Sequence, residues 1–157
     1  MPIQFVLLGG GDKLYEKQLH DLTQAYPDKI ALNIGYDEAL AHFIEAGADI
    51  FLMPSRFEPC GLNQMYSQRY GTVPIVRKTG GLADTVVDAL PDTIANHTAT
   101  GIVFNDASAG SLLEGVNRAW TLFRHPDIWK KIQHNGMIKD FSWQQSAQRY
   151  LSLYQNL

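Results

Sequence analysis

The feature that most constrains the fold is a repeated alternation of short apolar runs with segments of helical pattern. The runs are continuous rather than interrupted by polar residues, and they occupy residues 3–8, 30–34, 49–53, 73–76 and 101–104. Strands have this composition when helices cover both faces of a parallel sheet. The alternation therefore predicts an α/β fold with an open parallel sheet, flanking helices and right-handed crossovers.

The helical segments are marked by apolar and aromatic residues at helical spacing. They are Leu14, Leu19, Leu22 and Tyr26; Leu40, Phe43 and Ile44; and Leu62, Met65, Tyr66, Arg69 and Tyr70. Three helices are predicted to close the chain. Their boundary signals are capping boxes at Ser111 with Glu114 and at Ser142 with Gln145, Pro126 in a first turn and Gly136 at a helix end. Residues 96–101 are predicted to form a surface connection.

The length of 157 residues suits one domain, 1–157, because no linker or repeat divides the chain. A doubly wound nucleotide-binding sheet has more strands than the five apolar runs provide. We therefore expect the domain to be truncated on its N-terminal side.

Charge and cysteine content exclude several classes of partner. The net charge of -3 gives no basic surface for nucleic acid or an anionic membrane. The single cysteine, Cys60, allows no internal disulfide or zinc site, which favours a reducing compartment such as the cytoplasm. The histidines lack metal-ligand spacing, so we expect neither a metal nor another cofactor. The opening residues lack the basic leader of a signal peptide.

Residues that follow parallel strands gather at one edge of the sheet, so the turns after the runs form the candidate site. Gly9, Gly10 and Gly11 could cradle a phosphate, but a tight turn capped by Asp12 explains them adequately and is the favoured interpretation. Tyr36 could stack on a nucleobase or be half-buried packing. Both alternatives remain open at this point.

Two further turns place glycine at a helix entrance behind a strand. They contain Cys60, Gly61 and Leu62 in one and Thr79, Gly80 and Gly81 in the other. Unpaired amides and helix dipoles at both entrances would suit a diphosphate, although each turn alone could be an ordinary strand-to-helix connection.

Glu58 stands immediately before the first of these turns. Two like charges about 4 Å apart at an effective dielectric near 20 repel by about 4 kcal/mol, so this carboxylate cannot share the phosphate position. It could instead face sugar hydroxyls and an anomeric carbon, and the alternative is an exposed loop glutamate. Cys60 is interpreted as a packing residue, because no histidine lies close in sequence.

The segment PSRFEPCGLNQMYSQRYGTVPIVRKTGGLADTVVD resembles the nucleotide-sugar signature of bacterial glycogen synthases and plant starch synthases. These are retaining glucosyltransferases that extend α-1,4-glucan from ADP-glucose. The resemblance continues through FVLLGGGD, TGIVF and DFSW and covers nearly the whole chain. It implies the Rossmann-like C-terminal half of a GT-B fold, with the active site in the cleft beside an N-terminal GT-B domain. A plant origin would imply a plastid rather than the bacterial cytoplasm.

The resemblance also implies residue roles. Glu58 would be the active-site carboxylate at the glucosyl group, and Tyr36 would contact adenine. The remaining donor-site residues would be Cys60, Gly61, Leu62, Asn63, Thr79, Gly80 and Gly81. Asn63 stands where the family usually has threonine, which removes a hydroxyl contact to phosphate.

The family's diphosphate-neutralising Arg and Lys lie upstream of the matching segment. We therefore expect little transferase activity from the 157 residues alone. Two alternatives remain: a non-catalytic nucleotide-binding or partner-docking α/β module, and a UDP-sugar or sucrose-type transferase of the same architecture.

Overall fold

Residues 2–156 are described in the computed structural model. Strands and helices alternate as predicted, and the tail is helical. The elements are β1 (Phe5–Gly9), α1 (Lys13–Ala25), β2 (Ile30–Ile34), α2 (Glu38–Gly47), β3 (Ile50–Met53), α3 (Asn63–Tyr70), β4 (Val73–Arg77), α4 (Gly80–Thr85), α5 (Pro91–Ala95), β5 (Ile102–Phe104), α6 (Ala109–Phe123), α7 (Pro126–Ile138) and α8 (Trp143–Gln155). All of the predicted strands are present, with ends displaced by at most two residues.

The chain divides into two compact units, Met1–Gly47 and Ala48–Leu157. In the first unit β1 and β2 pair in parallel, with Phe5 opposite Ile30 and Gly9 opposite Ile34. Helix α1 packs against β2 and helix α2 against β1. That residues 1–157 form a single domain stays a prediction.

The second unit contains a parallel sheet in the order β3-β4-β5. Its central strand β4 is buried on both faces, which explains the continuous apolar run at Val73, Ile75 and Val76. The strands therefore form two hydrogen-bonded parallel sheets, one in each unit, where the sequence predicted one sheet. Apolar runs identify strands but carry no information about which strand pairs with which.

The core of the second unit lies between its sheet and helices α6 and α7. Ile75 and Ile102 from the strands are fully buried and pack in one cluster with Ala119 and Ile132 from the helices. Trp129 joins this cluster, and its ring meets that of Phe123 edge-on at a centroid distance of 5.3 Å. This core fixes the sheet whose carboxyl edge carries the candidate site.

The tail helices begin and end near their predicted positions, with three corrections. Helix α6 starts three residues earlier than the Ser111–Glu114 capping box predicted, because the hydroxyl of Ser108 accepts the amide of Ser111 at 3.2 Å and makes Ser108 the N-cap. Helix α7 begins at Pro126 as predicted but extends past Gly136 to Ile138. Ser142 is the N-cap of α8, although its side chain makes no capping hydrogen bond.

The connection predicted at residues 96–101 is only partly at the surface. Asn96, His97 and Thr98 are exposed, but Ala99 and Thr100 are buried. They are buried because the segment runs beside residues 87–89, where Asp88 bridges to Gly101 in parallel and the amide of Ala89 donates to the Gly101 carbonyl at 2.8 Å. Helix α5 (Pro91–Ala95), which precedes this connection, was not predicted from the sequence.

Candidate functional site

The candidate site is built around residues 54–62, which connect β3 to α3 and are called the acid loop here. Residues 79–81, which end the connection from β4 and begin α4, are called the glycine turn here. Because β3 and β4 are parallel neighbours, both connections leave the sheet at its carboxyl edge. The sequence-predicted residues of the second unit all lie in these two connections or at the start of α3.

The acid loop and the glycine turn touch through their main chains. The amide of Gly81 lies 3.2 Å from the carbonyl oxygen of Glu58 and 3.1 Å from that of Pro59. A Cβ on Gly80 would meet the Glu58 carbonyl oxygen at 2.1 Å, and one on Gly81 would meet the Cys60 carbonyl oxygen at 2.2 Å. Any side chain at either glycine would separate the two connections, so this contact requires glycine.

The start of the acid loop is held by Arg77, at the end of β4. Its Nε donates to the carbonyl oxygen of Ser55 at 2.7 Å, and its guanidinium also donates to the carbonyl oxygen of Arg56. A planar guanidinium can serve two neighbouring acceptors at once. Arg77 therefore fixes the segment that leads to Glu58.

The end of the acid loop is held by Gln64, a fully buried residue in the first turn of α3. Its Nε2 lies 3.1 Å from the carbonyl oxygen of Cys60 and 3.0 Å from that of Gly61. Gly61 has φ of 73°, a left-handed conformation that glycine adopts readily. With the contacts of Arg77 and Gly81, most carbonyl groups of the loop are thus bound to the protein.

The amides at the end of the acid loop have no protein acceptor. Within the described part of the chain, no hydrogen bond runs from the backbone N–H of residues 60–64 to a protein oxygen. For Asn63 and Gln64 this follows from helix geometry, because first-turn amides have no carbonyl partner inside the helix. These amides and the positive end of the α3 dipole form a site suited to an anion such as phosphate.

Glu58 is half-buried. Its exposure is thus intermediate between the two cases considered from sequence, which were a buried acid facing a sugar and an exposed loop glutamate. Its Oε2 lies 3.4 Å from the hydroxyl of Ser55, three residues earlier in the loop. One carboxylate oxygen therefore lies beside a residue near the β3 end of the loop, while the unpaired amides belong to residues that follow Glu58. That the carboxylate stays away from a bound phosphate is a prediction of the electrostatic argument.

Cys60, Leu62 and Asn63 are exposed at the loop end, where a ligand can reach them. The thiol of Cys60 lies 3.5 Å from the carbonyl oxygen of Gly61. That Cys60 is not a nucleophile stays a prediction. The side chain of Asn63 makes no hydrogen bond within residues 2–156, so its amide is available to a ligand.

The glycine turn corrects one expectation. The sequence predicted unpaired amides at both helix entrances, but the amide of Gly81 is already bound to the acid loop. Helix α4 is also short, six residues beginning at Gly80, and its N-cap Thr79 makes no side-chain capping bond. The second glycine pair thus supports the acid loop through Gly81, while the amides of Thr79 and Gly80 have no acceptor among residues 2–156. The other unpaired amides of the second unit's site are those of residues 60–64.

Helix α3 presents a different face to the protein than its sequence pattern suggested. The pattern included Leu62, Tyr66 and Tyr70 beside Met65 and Arg69, yet the first three side chains are 52%, 42% and 45% exposed. The buried residues are Gln64, Ser67 and Gln68. Gln64 was not predicted as a site residue, because a buried polar face that binds loop carbonyl groups gives no hydropathy signal. The i, i+4 spacing of Gln64 and Gln68 is the sequence signal that could have indicated this face.

Tyr36 and the triple glycine lie in the first unit. Tyr36 follows β2 and is 89% exposed, and Asp37 caps α2 by accepting the amide of Leu40 at 2.9 Å. The exposure agrees with a side chain free to stack on a base rather than with half-buried packing. The role of Tyr36 as an adenine contact stays a prediction.

Two local hydrogen bonds hold the turn that follows the triple glycine. Asp12 accepts the amide of Leu14 at 2.7 Å, and Glu16 accepts the amide of Gly11 at 3.0 Å. The Gly11 amide holds the pKa of Glu16 below its ordinary value, with help from Lys13. The turn capped by Asp12 is therefore present, as predicted from the sequence. These contacts leave both sequence interpretations of the glycines open.

Residues 2–156 contain no group of three or more side chains arranged to hold a metal ion. Metal independence stays a prediction. In the same part of the chain, no helix is both long and apolar enough to cross a membrane.

A family model described as glycosyl transferases group 1 matches residues 2–133. The chain belongs to this family. It is 62% identical over 154 residues to glycogen synthase 1 of Methylococcus capsulatus, an alignment that covers 98% of this chain and 31% of the relative. The chain thus spans about a third of the length of the curated relatives it matches.

The structure is similar to the catalytic domain of starch synthase IV from Arabidopsis thaliana bound to ADP and acarbose. The two share 39% identity and a TM-score of 0.85, over 98% of this chain and 32% of that one. Sucrose-phosphate synthase from Thermosynechococcus elongatus is similar at 23% identity and a TM-score of 0.67, over 98% and 39% of the two chains. The second likeness concerns the fold alone. The predicted α/β fold with parallel strands and the resemblance to glycogen and starch synthases are confirmed.

Proposed function

We propose that this chain is the donor-binding part of a retaining glycogen or starch synthase, which transfers glucose from ADP-glucose to the non-reducing end of an α-1,4-glucan. The proposal is carried by one observation: the carbonyl groups of the acid loop are bound to the protein, while the amides of residues 60–64 are unpaired beside Glu58. The high identity to a glycogen synthase and the ADP-bound starch synthase neighbour support it.

In the proposed complex the unpaired amides of residues 60–64 bind the donor diphosphate and Glu58 faces the glucosyl group. Departure of ADP leaves a positively charged, oxocarbenium-like sugar, which a carboxylate stabilises. Tyr36 would contact the adenine, and Thr79 with Gly80 would lie against the glucosyl and phosphate groups. Asn63 would donate its amide where relatives usually present a threonine hydroxyl.

The rest of the active site, including an N-terminal domain and the glucan groove, would come from a longer protein. We therefore expect the 157-residue chain to bind donor without transferring glucose. Detectable glucan extension by the chain alone would contradict this expectation. A bacterial cytoplasmic location belongs to the same proposal, and a plastid location would apply to a plant protein.

Calorimetry with ADP and ADP-glucose tests the proposal. ADP should bind, and UDP should bind more weakly if the site belongs to an ADP-glucose enzyme rather than to a UDP-sugar transferase. Glu58→Gln should weaken binding of ADP-glucose and leave binding of ADP nearly unchanged, because only the glucosyl group faces the carboxylate. Glu114→Gln, on the exposed face of α6, is the matched control.

Two results would count against the account. Equal effects of Glu58→Gln on both ligands would place the carboxylate elsewhere. Absence of any nucleotide binding would favour the partner-docking module.

A further inference from the structure

Gln64 has a set of contacts that no other residue of α3 makes. It is fully buried, and its Nε2 faces the carbonyl oxygens of Cys60 and Gly61 at 3.1 and 3.0 Å and the hydroxyl oxygen of Thr85 at 3.0 Å. Those contacts join three segments of the second unit: the acid loop, α3 and α4.

The orientation of the Gln64 amide is imposed by its neighbours. Rotating the group by half a turn would place Oε1 against two carbonyl oxygens, which cannot donate a hydrogen bond. The observed orientation is kept even though Oε1 itself is buried without a hydrogen-bond partner. The side chain is thus arranged to serve the loop carbonyls rather than to satisfy its own oxygen.

Thr85 extends the connection to the glycine turn. It accepts from Gln64, and its own hydroxyl donates to the carbonyl oxygen of Gly81. Gly81 in turn donates its amide to Glu58 and Pro59. These hydrogen bonds form a closed circuit. It runs from the end of the acid loop through Gln64 of α3 and Thr85 of α4 to Gly81, whose amide binds the carbonyl oxygen of Glu58.

We propose that Gln64 is a positioning residue of the donor site: by binding the carbonyl groups of Cys60 and Gly61, it holds the loop so that the amides of residues 60–64 stay available for the diphosphate. This inference rests on the proposed function. Gln64 touches no reacting group, and it acts through the loop backbone and through Thr85.

Gln68 provides a matched control. It lies one turn later on the same helix, is equally buried, and donates to the carbonyl oxygens of Gln64 at 2.9 Å and Thr85 at 3.3 Å, without reaching the acid loop. Gln64→Met and Gln68→Met remove the same donor with little change in volume. Both variants should lower the melting temperature of the 157-residue chain, since each loses buried hydrogen bonds.

Two further measurements separate the variants. Gln64→Met should weaken ADP binding about tenfold and reduce the protection of the Gly81 amide from hydrogen exchange about tenfold, and Gln68→Met should change both by less than about twofold. Equal ADP affinities and equal Gly81 exchange in the two variants would overturn the inference. Hydrogen exchange of the Gly81 amide requires no ligand, so it tests the role of Gln64 even if neither the variants nor the unmodified chain bind ADP. Absence of ADP binding in the unmodified chain would contradict the proposed function and not the role of Gln64.

Thr85→Val provides a second route if Gln64→Met does not fold. It removes the hydroxyl that links Gln64 to Gly81 and leaves the loop carbonyl contacts in place. Faster exchange of the Gly81 amide would support the circuit. Unchanged exchange would overturn it.

Discussion

Gly81 and Glu58 are joined directly through their main chains, with the amide nitrogen of Gly81 3.2 Å from the carbonyl oxygen of Glu58. The two residues are far apart in sequence, and they meet because parallel neighbours β3 and β4 end at the same edge of the sheet. The contact places the one acidic side chain of the loop beside a helix entrance with unpaired amides. It also makes the site sensitive to changes at glycines that never touch a ligand.

Gly81→Ala should destabilise the chain. The new Cβ would lie 2.2 Å from the carbonyl oxygen of Cys60 and 2.6 Å from its Cα, so backbone must move. Overpacking of this kind typically costs about 1–3 kcal/mol. We expect a lower midpoint in chemical denaturation together with weaker ADP binding.

Gly110→Ala is the control for this substitution. Gly110 lies in the first turn of α6 with open space around its Cα, and alanine favours a helix. Its denaturation midpoint should be unchanged or slightly raised. A drop as large as that of Gly81→Ala would show that glycine replacement itself, rather than the loop contact, causes the loss.

Cys60 should report occupancy of the site. It is the single cysteine of the chain and is exposed, so a thiol reagent modifies one defined position beside the unpaired amides. Saturating ADP should slow modification, because the bound diphosphate covers the loop end. Adenosine, which lacks phosphate, should protect less. An unchanged rate in the presence of bound ADP would place the nucleotide elsewhere.

Arg118→Lys should destabilise the second unit, although it keeps the charge. The Arg118 guanidinium donates to Asp88 Oδ1 at 2.8 Å and to the carbonyl oxygens of Val103 and Ala89, both at 3.2 Å. A lysine ammonium cannot reproduce this planar set of donors. We expect a loss of about 1–2 kcal/mol in the free energy of unfolding.

Arg124→Lys, at the exposed C-cap of α6, is the companion variant. It should change the free energy of unfolding by less than about 0.5 kcal/mol, as is usual for surface substitutions. Equal losses in the two arginine variants would contradict the role given to the Arg118 contacts.

Glu16 should contribute a pH-dependent part of the stability of the first unit. Its pKa in the folded chain lies below the ordinary value of 4.5, chiefly because the carboxylate accepts the Gly11 amide and also through Lys13. A carboxylate with a lowered folded pKa stabilises the fold above its unfolded pKa, and this contribution is lost as pH falls through the folded pKa. Glu16→Gln should therefore lower the denaturation midpoint at neutral pH.

The acid range tests this assignment. At a pH below the folded pKa the Glu16→Gln variant and the unmodified chain should differ much less than at neutral pH, since both then carry an uncharged group. A difference of the same size at both pH values would mean that packing, and not ionisation, accounts for the effect.

Much of the fold could be predicted from sequence because burial on both faces produces a direct signal. The run at residues 73–76 is β4, the buried central strand, and the ends of the runs fall within two residues of the observed strands. Pairing was not predictable in the same way, since backbone hydrogen bonds leave no trace in hydropathy. The start of α6 was misplaced because Ser108 and Ser111 are both good N-cap residues, and only the backbone conformation at Ser108 decides between them.

The sequence predicted that the turns after β3 and β4 lie at one edge of the sheet, but it did not predict the contacts between them. The glycines and Glu58 were selected because glycines that follow apolar runs indicate turns at the edge of a sheet. In the structure the amide of Gly81 binds the loop, and Gln64 and Arg77 bind its carbonyl groups. These contacts depend on distances of a few ångströms between segments, which the sequence does not specify. Buried polar residues that satisfy backbone groups resemble surface residues in sequence.

The most direct test of the central claim is an amide-resolved NMR titration of the 157-residue chain with ADP. The largest chemical-shift changes should fall on the amides of residues 60–64, with smaller changes at the glycine turn. Saturable changes confined to Gly9, Gly10 and Gly11, or no saturable change anywhere, would contradict the assignment of the acid loop and the start of α3 as the diphosphate site.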